Sequence, residues 1–250
     1  MEEQSLSEFL EWEPESPESI LDQGLMYTGT KTILYGRYKS MKSMLVQHLM
    51  LAVASGEPWL GFNTPAEGAS VFYLQAEIPH RLLHKRIKKM IGKEGLHTKQ
   101  PVYIWTEPAI KLDQTVGLAR LMKKVEKYNP GVLIIDPIYK MLTGDMKEQS
   151  QISTFLDNMD QIISRHGTTL LLVAHSKKGE RDENEWGSDD LLGSVFFSAW
   201  PDSIIQIERS AQLLTVKFDV VRHAEEDISP VQVMVDRDKL QFNPTIISMK

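Results

Sequence analysis

Strand-like apolar runs alternate with helix-periodic segments through most of this chain, and that alternation limits the possible folds more than any other feature. TKTILYG, SVFYLQAE, PVYIWTE, GVLIIDP and TTLLLVAHS are short and rich in branched or aromatic residues. Between them lie KSMLVQHLMLAVASG, IPHRLLHKRIKKMIGKEG, TVGLARLMKKVEKY and ISTFLDNMDQIISRHG, whose apolar residues recur at helical spacing. In the third of these the spacing places Val116, Leu118, Leu121, Met122 and Val125 on one helix face. GVLIIDP is almost wholly apolar, as a strand covered on both faces should be. The pattern predicts an α/β fold with a mainly parallel central sheet and helices on both faces. DSIIQIER, QLLTVKFDVVRH and PVQVMVDRDKLQF then follow without long helices between them, which predicts an antiparallel C-terminal extension at the sheet edge.

Residues 1–24 are Glu-rich and broken by Pro14 and Pro17, and read as an acidic N-terminal arm ahead of one folded domain over 25–250. Leu6, Phe9, Leu10 and Trp12 leave two states open for that arm, docked on a neighbouring surface or mobile. The chain has no cysteine, which excludes disulfides, thiolate zinc sites and cysteine nucleophiles, and its His residues show no HExxH spacing. A formal net charge of -6 confines any nucleic-acid contact to a local basic channel. The acidic start is the reverse of a signal or transit peptide, and no apolar run reaches membrane-spanning length. A cytoplasmic protein with no membrane partner is the expectation.

The segment YGRYKSMKSM carries the first chemical signal. A phosphate-binding loop reads GxxxxGK[ST] between a buried strand and a helix: backbone amides cradle the phosphates, the Lys reaches the outer ones and the hydroxyl binds magnesium. Gly36, Lys42 and Ser43 keep that spacing, so Gly36, Arg37, Tyr38, Lys39, Ser40, Met41, Lys42, Ser43 and Met44 form the candidate nucleotide-binding loop. Met41 stands where the second Gly is expected, and its side chain either strains the backbone or forces another loop path. By itself the segment also reads as a basic surface turn. VLIIDP ends a second buried strand in Asp136, and FYLQAE ends another in Glu77. Ligands of an open parallel sheet sit at those carboxyl ends. Asp136 there can orient magnesium and Glu77 can polarise a water, although each residue type also serves as a helix cap.

The order of these motifs, closed by LLLVAHSKKG, resembles the RecA-like P-loop ATPases from about Leu21 to Phe242. Within them it is most similar to the hexameric, plasmid- and phage-type replicative helicases of the RepA kind and to the motor domain of DnaB-like helicases. The resemblance implies ATP and Mg2+ as ligands, Lys42 and Ser43 as the loop lysine and magnesium hydroxyl, Asp136 as the magnesium-orienting acid, and Glu77 as the general base. It implies that His175 senses the γ-phosphate and that Arg222 enters the nucleotide site of a neighbouring subunit. Related helicases pair such an arginine with a Lys two residues earlier, where this chain has Val220.

Two polar loops, KMLTGDMKEQSQ and SKKGERDENEWGSDDLLGS, would face the channel of such a ring. Lys140, Lys147, Lys177, Lys178 and Arg181 are the candidate contacts to single-stranded DNA, with Trp186 as a stacking surface; the acids between them and Leu192 argue against DNA coupling. The resemblance implies a homo-oligomer, a hexamer by analogy, that hydrolyses ATP and moves single-stranded DNA alongside replication or recombination proteins. A second function stays open: a nucleotide-dependent DNA-binding or assembly factor, a recombination mediator or helicase loader, with weak hydrolysis.

Overall fold

The structure, a computed structural model, describes residues 3–13, 16–92, 95, 97–144, 149–176 and 195–245. Chain order runs α1 (Leu6–Glu11), β1 (Ser19–Leu21), β2 (Met26–Tyr27), β3 (Lys31–Gly36), α2 (Lys42–Ser55), β4 (Val71–Gln75), α3 (His80–Ile91) and β5 (Val102–Thr106). It continues through α4 (Thr115–Tyr128), β6 (Val132–Asp136), a 3-10 turn (Ile138–Met141), α5 (Gln149–His166), β7 (Thr169–His175) and α6 (Val195–Ala199). The last elements are β8 (Ser203–Ser210), β9 (Leu213–Val221), β10 (Val231–Asp236) and β11 (Gln241–Thr245).

Among the described residues, nine strands form one sheet in the order β11-β10-β9-β8-β3-β7-β6-β4-β5. From β8 to β5 every neighbour is parallel; β9, β10 and β11 continue the sheet antiparallel. The mainly parallel sheet with an antiparallel C-terminal edge is the expected architecture, with one change. DSIIQIER, expected among the antiparallel strands, does pair antiparallel with β9, but its other side pairs in parallel with β3, Thr32 opposite Ser203 through Gly36 opposite Ile207. PVQVMVDRDKLQF is two strands, β10 and β11, rather than one.

Strand side chains alternate between two cores, as the two-residue period of a pleated strand requires. Leu34, Tyr73, Ile134 and Val173 pack against α2 and α3 on one face. Ile33, Phe72, Leu133 and Leu172 pack against α4 and α5 on the other, with Leu121, Val125, Phe155 and Met159. α4 turns the expected face inward at Leu118, Leu121, Met122 and Val125, with one departure: Val116 is 74% exposed and Gly117 faces inward instead. A Cβ on Gly117 would stand 1.8 Å from the Lys111 carbonyl oxygen, so a close backbone approach, not apolarity, selects the residue there. The acidic arm is shorter than its composition indicates. Ile20 and Leu21 are buried in the α2-side core, while Leu6, Phe9, Leu10 and Trp12 are exposed on or just after α1. Among the described residues no helix is long and apolar enough to cross a membrane.

Candidate nucleotide-binding site

The parallel register brings the strand ends together. Gly36 is opposite both His175 and Ile207, and Gln75 is opposite Asp136, so β3, β7 and β8 finish beside β6 and β4 at one carboxyl edge. Gly36 is obligatory on steric grounds, since a Cβ there would meet the Ile207 carbonyl oxygen at 2.4 Å. The chain then loops out through exposed Arg37, Tyr38 and Lys39, turns back at buried Ser40 and enters α2 at Lys42. Met41 occupies the left-handed region at φ 69°, ψ 15°, as does Lys39 at φ 65°. Of the two outcomes open for Met41, the backbone strain is therefore the one realised; such a conformation costs a non-glycine residue about 1–2 kcal/mol. The Met41 and Met44 side chains pack against the α2-side core, which offsets part of that cost.

The first amides of α2 have no acceptor within the helix and lie at the positive end of its dipole, where anions bind. Lys42 is buried with its amino group curled into the loop, donating to the carbonyls of Gly36 (2.8 Å) and Arg37 (2.8 Å) and to Ser40 Oγ (3.4 Å). These three acceptors match the three hydrogens of an ammonium. Burial pushes the Lys42 amine down to about 8, opposed by the charges of Asp136 and Glu77. The outer rim of the loop is clasped by Arg209, which donates to the Lys39 carbonyl (2.8 Å) and to that of Ala211 (3.1 Å) in the β8–β9 turn.

Ser43 donates to Asp136 Oδ1 at 3.0 Å, and the Tyr73 hydroxyl donates to Asp136 Oδ2 at 2.6 Å. Gln47, one helical turn beyond Ser43, donates to the Tyr73 oxygen at 3.0 Å. Burial raises Asp136 above the usual carboxylate range, and the hydrogen bonds from Tyr73 and Ser43 oppose that rise. Glu77 sits exposed just past the end of β4, its amide held by Gln75 Oε1 (3.1 Å) and its carboxylate accepting from the Tyr139 hydroxyl (3.1 Å). His175 lies edge-on to Tyr139 with ring centres 5.1 Å apart; burial, with the Lys42 charge second, lowers it to about 4, so the ring is neutral at neutral pH. Lys42, Ser43, Glu77, Ile78, Arg86 and His175 line a common cleft of about 360 Å³.

A hydroxyl and a carboxylate oxygen converging at 3.0 Å beside a helix N-terminus are hard oxygen donors of the kind Mg2+ takes alongside phosphate and water. The residues present therefore fit a magnesium–nucleotide ligand. Sequence reasoning missed Tyr73, Gln47, Tyr139 and Arg209. Gln47 was within reach, since helical spacing puts this polar residue one turn after Ser43 inside an otherwise apolar helix.

Of the other predicted residues, only Lys140 and Arg222 are among those described. Lys140 is exposed on the 3-10 turn, its amine 5.5 Å from the Tyr139 ring centre and its carbonyl accepting from Lys111. Lys147, Lys177, Lys178, Arg181 and Trp186 fall outside the described residues. Arg222 follows β9 at the opposite edge of the sheet, beside the start of β8; its guanidinium donates to the Ala199 carbonyl and its amide to that of Asp202. It cannot reach the phosphate loop of its own chain from there.

Comparison with known proteins bears on the fold and the family. No curated protein matches the chain. One solved ATPase domain superposes with a TM-score of 0.64 at 11% identity, covering 87% of this chain and 85% of that one. A DnaB-like replicative helicase, solved in a study of its interactions with primase, gives 0.68 at 12% identity, over 95% of this chain and 66% of that one. The RadB recombinase gives 0.58 at 16% identity, over 85% and 90%. These likenesses establish the RecA-like fold, the one seen in replicative helicase ATPase domains. The AAA domain family matches residues 1–181, most of the sequence, and the chain belongs to that family.

Proposed function

We propose that this chain is an ATP-hydrolysing DNA motor of the replicative-helicase kind, working on single-stranded DNA as a homo-oligomer, by analogy a hexamer. One observation carries the reading: the phosphate-loop lysine and hydroxyl, the Asp136 carboxylate and Glu77 come together in and beside one cleft at the carboxyl edge of the sheet. Lys42 exchanges its loop carbonyls for phosphate oxygens, and the α2 amides hold the same phosphates. Ser43 and Asp136 would hold Mg2+, which supplies charge neutralisation on the phosphates when bound. Glu77 takes the proton of the attacking water, and Tyr139 fixes the rotamer from which it does so. Neutral His175 stands at the phosphate end of the cleft as the group that reports the nucleotide state to the loop beyond β7. Arg222 acts on the nucleotide of a neighbouring subunit. Lys140, together with Lys147, Lys177, Lys178 and Arg181, supplies the phosphate contacts to DNA, and replication or recombination proteins are the proposed partners. The cytoplasm is the compartment that fits this function.

The strained loop favours a second reading, in which ATP is chiefly a conformational ligand and the protein is a recombination mediator or helicase loader. Left-handed Lys39 and Met41 store backbone strain beside the lysine that would hold the phosphates. ATP turnover measured with and without single-stranded DNA, across protein concentrations that span assembly, separates the two. The motor predicts turnover that rises cooperatively with concentration and at least about tenfold with DNA. ATP-dependent assembly with no DNA stimulation would replace it by the loader.

A further inference from the structure

We infer that Tyr73 is a positioning residue for the metal-binding carboxylate: with Gln47 it holds Asp136 by one oxygen so that the other stays turned toward Ser43. This assignment rests on the nucleotide-site reading above and adds to it a residue pair with no direct contact to nucleotide. Tyr73, Gln47 and Asp136 are all buried, at 0%, 0% and 2% exposure. A phenol has a single hydrogen. Because Gln47 directs its amide nitrogen at the Tyr73 oxygen, that oxygen accepts there, and its hydrogen is committed to Asp136 Oδ2.

The bonds form a ring across three elements. Ser43 and Gln47, four residues apart, lie on the same side of α2. Ser43 reaches Asp136 on β6 directly, and Gln47 reaches it through Tyr73 on β4. The strand register explains why Tyr73 is the residue that fits. Tyr73 is opposite Ile134 and Gln75 is opposite Asp136, so Tyr73 stands diagonally one pleat behind the acid and on the face that α2 covers. Were Mg2+ held by Ser43 and Asp136, the 2.6 Å bond on Oδ2 would keep the carboxylate in its orientation. Packing alone does not call for the hydroxyl, since phenylalanine would fill the same core, and a buried polar group is retained at a desolvation cost. Tyr73 and Gln75 lie on the same face of β4 and Glu77 follows two residues on, so the same contact ties the strand leading to the proposed general base to the strand carrying the proposed metal acid.

The test uses the full chain with Tyr73→Phe, and Gln47→Met as a second variant. Mn2+ affinity is measured by electron paramagnetic resonance in the presence of ADP, ADP affinity is measured without metal, and thermal unfolding is followed for each protein. Tyr73→Phe should weaken Mn2+ by about 10- to 100-fold, the range for loss of a group that orients a metal ligand. Metal-free ADP affinity should stay within about twofold, on the ground that the phosphate loop itself is untouched. Gln47→Met should move Mn2+ affinity in the same direction by less, because the hydroxyl remains but its hydrogen is free to turn. Unchanged Mn2+ affinity in Tyr73→Phe overturns this assignment alone. Failure of the unaltered chain to bind ADP overturns the nucleotide-site reading and this assignment with it.

Discussion

Replacing Glu77 by Gln should lower the rate of ATP turnover by roughly 10² to 10⁴, the range of general acid–base contributions, with little change in nucleotide affinity. The side chain lies past the last paired residue of β4, beyond the strand but fixed at both ends. Its amide is bonded to Gln75 Oε1, and its carboxylate takes the Tyr139 hydroxyl. A glutamine is nearly isosteric, keeps an oxygen for Tyr139 and retains the backbone contact, yet it cannot accept a proton from water. Loss should therefore appear in kcat. A kcat within about threefold of the original would remove Glu77 from the chemistry, because a general base cannot contribute so little.

Arg222→Ala should cost about 10³ to 10⁵ in turnover of the assembled protein, as for arginines supplied to a phosphoryl group by a neighbour. The position of the residue makes the prediction sharp. Arg222 follows Val221, which pairs with Ser203 at the start of β8, while the phosphate loop leaves β3 beside Ile207, near the far end of the same strand. No motion confined to one chain's sheet brings the two together. Mixing Arg222→Ala subunits with Lys42→Ala subunits should thus restore part of the turnover, since some interfaces join an intact loop to an intact arginine. Full turnover in Arg222→Ala, or no recovery on mixing, would place the stabilising charge elsewhere; Arg86, which lines the same cleft within the chain, would be the next residue to replace.

The helices and the parallel strands were legible because their signals are local: period, length and terminating glycines sit within each segment. The second pairing of β8 was hidden for the converse reason. Its antiparallel hairpin with β9 is local, whereas its parallel partner, β3, lies far earlier in the chain, so only the tertiary pairing reveals that it also joins the parallel group. Val116 was assigned to the buried face by apolarity, while Gly117, with no side chain to count, is what the packing of Lys111 selects. The arm was drawn to Gly24 because its composition gives no break before that point, although Ile20 and Leu21 are already in the core. That Ser43 and Asp136 would meet beside Lys42 at the strand ends followed from spacing and strand position, which the proposed phosphate chemistry would require. Tyr73 could not, because a tyrosine inside VFYLQ looks like any aromatic on a buried strand until its hydroxyl is found on a carboxylate.

The loop with Met41 in place of glycine is proposed to hold phosphate through Lys42. Equilibrium binding of ATP to the original chain and to Lys42→Ala, between about pH 6.5 and 9, tests it most directly, a range that brackets the lysine's lowered value. The lysine is buried among loop oxygens and its amine is lowered to about 8, so it carries its charge below that pH and loses it above. Binding should weaken as pH rises through about 8, and Lys42→Ala should lose at least about tenfold, in line with a charge-assisted phosphate contact. Equal affinity in the two proteins, with no pH dependence in that range, would contradict it.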